Sequence, residues 1–336
     1  MKELERETQE SPACGYGLLG LCCSDCLLGP CRLTPFDEGS EKGLCGDDRD
    51  RMVAKHLLRL AVYESGRTLK LLADAARRAC SGGLASSSLE ASKNFLSLSP
   101  VGMDALVSAQ YPEKIFPSVH RFLPAGDSGP ISLAGLLLDS VAICQSGSTG
   151  VEEILDLCLR LSLLNLIGEE FLYDLNLLTH AEQVPGDNRK TSEILERLPS
   201  APCPFVIRLT EGGASSSAVE DLLKGLDETV PVVPIEERQA LSEIARGLFQ
   251  KWNLPATGLR AVVLVSSSRV TSTLGALALG FNVASFPPLP IHGSYRSKEF
   301  FFKDFRKRFG NGCLPSPPSS KEGFDSVLTE YLGGKG

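Results

Sequence analysis

The stretch Cys22-Cys23-Ser24-Asp25-Cys26-Leu27-Leu28-Gly29-Pro30-Cys31-Arg32, with Cys14 before it and Cys45 after it, holds six of the chain's eleven cysteines. Soft thiolates this close together in sequence converge on one small volume, which suits iron-sulfur clusters or zinc and not a dispersed set of core cysteines. Cys22 and Cys23 are adjacent, and neighbouring side chains leave the backbone in different directions in strand or helix, so one cluster does not use both. Splitting the pair gives Cys23-x2-Cys26-x4-Cys31 and then Cys45, a complete set of four thiolates for one [4Fe-4S] cubane. Cys14 and Cys22 are left over. A two-fold axis would bring the same two thiolates from a second copy of the chain, so the leftover pair predicts a homodimer that shares a bridging cluster.

Glycines thread the region at Gly15, Gly17, Gly20, Gly29, Gly39, Gly43 and Gly46, letting the backbone turn tightly and offer N–H groups to cluster sulfurs. Pro30 and Pro35 keep it from becoming a helix that would separate the thiolates. The segment is expected to be an ordered, metal-templated loop. A disulfide framework would suit six cysteines, but a chain of 336 residues opening Met1-Lys2-Glu3-Leu4-Glu5 shows no apolar export signal. Structural zinc would favour two C-x2-C pairs, and this region has one.

The whole run Cys14-x7-Cys22-Cys23-x2-Cys26-x4-Cys31-x13-Cys45, carrying Gly29-Pro30-Cys31-Arg32 and Leu44-Cys45-Gly46 with Asp50 beyond, resembles the N-terminal cluster region of anaerobic, nickel-containing carbon monoxide dehydrogenase catalytic subunits. The resemblance implies that Cys23, Cys26, Cys31 and Cys45 ligate an in-chain [4Fe-4S] cluster, and that Cys14 and Cys22 bind a cluster shared across the dimer axis. It continues more weakly through Ser118 to Leu178. It returns at Gly275-Ala276-Leu277-Ala278-Leu279-Gly280-Phe281, Pro287-Pro288 and Gly293-Ser294, which look like the last strand and loop of the family's C-terminal domain.

The family's middle is mostly missing. Its catalytic nickel-iron-sulfur cluster takes one histidine and five cysteines from the middle and C-terminal domains, in a chain almost twice this length. Beyond position 180 this sequence offers only Cys203, Cys313, His180 and His292. Where the family carries a catalytic lysine ahead of the glycine stretch, this chain has Ser268 and Arg269. Where the family carries proton-relay histidines, it has Tyr63-Glu64-Ser65-Gly66. Nickel is therefore not expected, and the catalytic residues are unknown.

Net charge of −7 gives no basic footprint for nucleic acid or anionic membrane. The local run Arg49, Arg51, Lys55, Arg59, Arg67, Lys70, Arg77 and Arg78 is the exception, read either as a solvated helix face or as a dock for an acidic ferredoxin-like electron carrier. The longest apolar segments, Ile131 to Cys144 and Leu155 to Ile167, are interrupted by Asp139 and by Asp156 and Arg160, so they read as core helices and not membrane spans. Many unpaired thiols point to the reducing cytoplasm.

The expected fold class is α+β and multidomain: a cysteine-rich segment over residues 1–48, a helical domain over 49–182, a small Rossmann-like α/β domain over 190–313 and a C-terminal tail over 314–336. A helix from about Arg49 to Ala79 should follow the last ligand and break at Gly66. The Ser- and Gly-rich stretch from Ser81 to Ser99 reads as flexible. Turns are expected at Pro124 to Pro130 and at Gly147 to Gly150. After Pro185-Gly186-Asp187, strands at Phe205 to Leu209, Val230 to Val233, Ala261 to Val265 and Phe281 to Phe286 alternate with helices near Ala218 to Leu226, Glu236 to Trp252, Val270 to Leu279 and Ser297 to Arg308. That alternation argues for a parallel sheet. No G-x-G-x-x-G turn, Walker loop or G-x-S-x-G elbow supports nucleotide binding or serine hydrolysis.

Cys144 and Cys158 read as small core residues, and Cys80 as a helix end. Cys203 and Cys313 lie in Pro- and Gly-rich loops where functional residues collect, and His292 is placed to join them. His56, His120 and His180 read as structural or uninformative. The favoured function is an electron-transfer module, working between a ferredoxin-like carrier and a partner for which a separate catalytic subunit is one candidate. The alternatives are a carbon monoxide dehydrogenase or related small-molecule redox enzyme with an altered metal site at Cys203, Cys313 and His292, and a redox or iron sensor.

Overall fold

Two leucines fasten the cysteine segment to the rest of the computed structural model, which describes residues 14–24, 28–36, 41–82, 86–96, 103–123, 132–145, 149–179, 195–196, 198–211, 231–235 and 240–313, with short pieces between 219 and 230. After the single turn α1 (Gly15–Leu18), strands β1 (Cys22–Cys23) and β2 (Cys31–Arg32) form an antiparallel pair. Leu21 and Leu33 flank the pair, both fully buried, and Leu33 N donates to Leu21 O at 3.1 Å. Their burial removes from water what the thiols and glycines between them cannot, at about 1.5–3 kcal/mol for each side chain.

The pair lies against α2 (Arg49–Ser81). Asp48 caps this helix by accepting from Arg51 N at 2.8 Å, which satisfies one orphan donor of the first turn. Met52, Val53, Leu57, Leu58, Ala61, Leu72, Ala75 and Ala79 form its buried stripe. The break expected at Gly66 does not occur. Glycine costs about 1 kcal/mol against alanine inside a helix, less than is gained by burying Leu58, Ala61 and Leu72 on either side of it.

Within the stretch expected to be flexible, Ser87–Leu96 is helix α3. Leu89 and Phe95 recur at helical spacing and are buried, Ser86 Oγ accepts from Leu89 N at 3.1 Å, and the Phe95 ring meets Phe171 edge-on at 5.2 Å. Tertiary packing overrides the composition there, while residues 83–85 and 97–99 lie outside the described residues. Helices α4 (Met103–Gln110), α5 (Pro117–Phe122) and α6 (Leu133–Gln145) follow. The expected turn at Pro124 to Pro130 and the first half of that at Gly147 to Gly150 also lie outside the described residues.

Helix α7 (Val151–Thr179) is apolar nearly all round and forms the axis of the molecule. Leu155, Cys158, Leu159, Leu161, Leu163, Leu164, Leu166 and Ile167 are all fully buried. A helix without a polar face has no stable place at a surface. It packs on α2 along one side and on α9 of the sheet half along another.

The sheet is parallel, in the order β4-β3-β5-β6, from β3 (Phe205–Thr210), β4 (Val232–Ile235), β5 (Ala261–Ser266) and β6 (Asn282–Phe286). Pairing runs Phe205 with Ala261 and Val262 with Asn282 at the strand starts. Every residue of β5 is buried, as a strand covered on both faces requires. Helix α8 (Ala240–Trp252) precedes β5, and α9 (Val270–Leu279) joins β5 to β6. The expected last helix appears as α10 (Tyr295–Glu299), a π turn over Phe300–Asp304, and α11 (Phe305–Phe309). Residues 218, 221, 222 and 225 of the helix expected near Ala218 to Leu226, and the tail over 314–336, are outside the described residues.

All ten residues of α9 are buried. It meets α7 so closely that a Cβ on Gly275 would stand 3.1 Å from Ser162 O, and Asn165 Nδ2 of α7 donates to Thr271 Oγ1 at 3.2 Å. One hydrophobic core thus runs from Leu21 and Val53 through Leu159 to Phe205, Val263 and Phe301.

Candidate metal centre

The register of β1 and β2 sets Cys23 opposite Cys31 and Cys22 opposite Arg32. Directly opposed residues of an antiparallel pair project to the same face with Cα atoms about 4.5–5.5 Å apart, and the next residue projects to the other. Cys23 and Cys31 therefore share one face, and Cys22 and Arg32 share the reverse. The turn that carries Cys45 is closed by Gly43 N donating to Asp47 O at 2.8 Å and Gly46 N donating to Gly43 O at 2.9 Å. It abuts β2: a Cβ on Gly43 would lie 3.7 Å from Cys31 Cβ and 3.3 Å from Met52 Cε. Cys45 is exposed and its thiol donates to Asp47 Oδ2 at 3.3 Å. Cys26 lies outside the described residues.

Beneath this face, α2 presents Arg51, Lys55 and Arg59 at intervals of four, one above the other. Asp47, itself buried, takes the first two: Lys55 Nζ stands 2.7 Å from Oδ2 and Arg51 Nη1 3.6 Å from Oδ1. Arg59 Nη1 instead donates to Cys23 Sγ at 3.4 Å. Soft sulfur donors in a glycine-lined cradle beside cationic N–H groups fit an iron-sulfur cluster, whose thiolate-ligated core is anionic. Among the described residues, no three His, Cys, Asp or Glu side chains stand close enough to hold a metal ion, so the site brings together two thiols and a neighbouring third.

On the reverse face, Cys22 is half-buried and Cys14 is exposed at the start of α1. Hydrogen bonds from the backbone N–H groups of Gly17 and Tyr16, with the Arg32 charge, hold the Cys14 thiol below its ordinary range. The Arg32 guanidinium lies over the Tyr16 ring at 5.9 Å, and Tyr16 and Leu18 are exposed.

The other candidates do not assemble. Cys203 lies at the entrance to β3, half-buried, with its thiol raised by burial. Cys313 is bridged to Val283 beside β6, and burial pushes its thiol up to about 12. Burial, then Lys298, lowers His292. These three are all described and form no ligand group: Cys203 precedes the inner strand β3, Cys313 bridges Val283 of the edge strand β6, and His292 lies in the loop after β6. The His292 loop has another role: Gly293 N donates to Leu19 O at 3.0 Å, and Cβ atoms on Gly293 or Gly20 would meet Leu19 O and Pro290 O at 2.6 Å. Cys80 is exposed at the end of α2, Cys144 is half-buried, and Cys158 is buried with its thiol raised by desolvation. His56 lies on α2, His120 Nε2 faces Tyr111 O at 2.6 Å, and His180 is outside the described residues.

Two arrangements had no legible signal in the sequence. At the carboxyl ends of β3 and β5, where the strand order switches and open α/β sheets commonly bind ligands, the N-terminus of α9 is filled by the chain itself. Glu64 Oε1 accepts from Val270 N at 3.0 Å, and Oε2 accepts from Thr271 N at 2.8 Å and Thr271 Oγ1 at 2.6 Å. Beside it Arg269 pairs with Glu169 at 3.7 Å, and Ser272 Oγ donates to Glu211 at 2.7 Å. Glu64 and Val270, 206 residues apart in the chain, thus meet at one helix end. The second is a cavity of about 320 Å³ lined by Gln110, Glu170, Asp174, Glu243, Arg246 and Gln250 among others. Burial raises Glu170 and Asp174 there, with the Arg246 charge opposing it.

No family model matches the chain. It is 54% identical over 72 residues to a carbon monoxide dehydrogenase of Rhodospirillum rubrum, covering 20% of this chain and 11% of that protein. It is 52% identical over 56 residues to carbon monoxide dehydrogenase 1 of Methanosarcina acetivorans, covering 17% and 9%. Each match thus spans about a tenth of the curated relative's length. Among solved structures, a nickel-free carbon monoxide dehydrogenase of Thermococcus sp. AM4 overlays with a TM-score of 0.44 at 15% identity, covering 99% of this chain and 56% of that one.

Proposed function

As a member of the carbon monoxide dehydrogenase family by sequence, this chain is, we propose, an iron-sulfur electron-transfer module. Cys23, Cys26, Cys31 and Cys45 hold one [4Fe-4S] cluster, which supplies one-electron storage. Cys14 and Cys22 face outward to share a second cluster with their symmetry mates in a homodimer. The observation that carries the reading is the hairpin register, which groups Cys23 with Cys31 and turns Cys22 away. Alternation along the strand supports assigning Cys22 and Cys23 to different ligand sets.

The chain's own residues keep this module together. Leu21 and Leu33 bury the flanks of the hairpin, and Asp47 ties the Cys45 turn to Lys55. Exposed Tyr16 and Leu18 beside Cys14 supply apolar surface for the dimer axis. Exposed Arg67, Arg77 and Arg78 on the far half of α2 offer a docking face for an acidic ferredoxin-like carrier. The sheet half, Rossmann-like in this reading, is scaffold: its switch-point helix terminus is occupied by Glu64. No helix among the described residues is long and apolar enough to cross a membrane.

Anaerobic purification with metal analysis and EPR tests the proposal. About four to six irons per chain without nickel are expected, for one cubane and half of a shared cluster. Cys14→Ser with Cys22→Ser should remove the shared cluster and loosen the dimer while leaving the in-chain signal. Iron-free, colourless protein refutes the module. Nickel with carbon monoxide-dependent viologen reduction establishes the enzyme instead.

A further inference from the structure

The basic run that begins at Arg49 divides once folded. Its far members Lys70 and Arg77 stay at the surface with Asp74. Its near members Arg51, Lys55 and Arg59 line the underside of the cysteine hairpin, where Asp47 pairs with the first two. Asp47 reaches Arg51 and Lys55, whereas the Arg59 guanidinium extends to the sulfur of Cys23 at 3.4 Å. A charge-assisted N–H to sulfur bond acts on electron density at that sulfur, and hydrogen bonds and net charge around the sulfurs set cluster potentials.

We propose that Arg59 sets the reduction potential of the in-chain cluster, holding it higher than the four thiolates alone would by stabilising the more negative, reduced form. The inference rests on the reading that Cys23 is a cluster ligand. Reduction adds one negative charge to a group already anionic, and a cation hydrogen-bonded to one ligand favours the state with more negative charge. Arg59 is suited to the role in a way its neighbours are not. Lys55 and Arg51 are turned to the Asp47 carboxylate, whereas Arg59 reaches the ligand sulfur itself. Arg59 is delivered from a capped, continuous helix packed against the hairpin, so its placement does not depend on a loop. Arg59 touches a ligand and not a substrate, which makes it a positioning and tuning residue.

The test compares Arg59→Met, Arg59→Gln and Arg59→Lys with the parent in anaerobic protein, by EPR-monitored titration with dithionite and by iron content. At an ambient potential fixed at the parent's midpoint, Arg59→Met and Arg59→Gln should lower the reduced-to-oxidised ratio about tenfold, equivalent to about 59 mV for a one-electron couple. Arg59→Lys, which keeps the charge, should recover most of that ratio. Variants with full iron and an unchanged ratio overturn the proposal. So does loss of iron in all three, which would make Arg59 a structural prop. A parent without iron refutes the ligand reading itself, so the two failures are distinguishable.

Discussion

Replacing Glu64 tests whether one side chain joins the helical half to the sheet half. Its carboxylate accepts three hydrogen bonds from the start of α9, two of them from backbone N–H groups at 2.8 and 3.0 Å. The N-cap residue of that helix, Arg269, gives no side-chain cap, so Glu64 performs the capping from another element. An ordinary cap contributes about 1 kcal/mol, a charge-assisted hydrogen bond about 1.5–3, and a carboxylate at a helix N-terminus about 0.3–2. These terms overlap, and the half-exposed site admits water when the side chain is cut back. We therefore expect Glu64→Ala to cost about 3 kcal/mol and Glu64→Gln, which keeps one acceptor and loses the charge, about half that. The measurement is the urea midpoint by far-ultraviolet circular dichroism, with amide exchange at Val270 and Thr271 as the local readout. Glu64→Ala should lower the midpoint and expose both amides. An alanine variant within about 0.5 kcal/mol of the parent, with both amides still protected, would refute the capping argument.

Two further outcomes follow from the same packing. Asp174 is raised from 3.8 chiefly by burial, so the folded state holds its proton more tightly than the unfolded chain. The stability it contributes is complete below the unfolded value and falls as pH rises through the folded one. Asp174→Asn should therefore flatten the decline in urea midpoint above about pH 4 and leave the protein at least as stable at pH 7; a steeper decline would contradict the sign. Gly293→Ala places a Cβ 2.6 Å from Leu19 O and 2.5 Å from Leu21 Cγ, so it should cost about 2–3 kcal/mol and loosen the cysteine segment. Faster thiol labelling of Cys22 and Cys23 in apo protein would report that loosening, and unchanged labelling would count against it.

The opposite facing of Cys22 and Cys23 was legible because alternation along a strand is a local property, and neighbours face apart. The strands Phe205–Thr210 and Ala261–Ser266 were equally legible, the second because a run buried on both faces is apolar nearly throughout and the first because it is apolar apart from Arg208 and Thr210. Composition misled at Ser87–Leu96 and at Gly66, where local propensities of about 1 kcal/mol yield to burial of Phe95 and Leu72. The basic run read as one feature because charge spacing alone does not say which cations meet a partner.

By itself, then, the sequence singled out the thiols proposed to carry the chemistry and most of the helices and strands around them, since thiol spacing and apolar periodicity act over a few residues. Only the tertiary structure decided that Arg59 points at Cys23 while Lys55 is turned to Asp47. It alone decided that Glu64 closes the end of α9 and that Cys203, Cys313 and His292 stay apart. Those outcomes depend on how helices pack, and the energy that selects the packing is distributed over a core no local pattern contains.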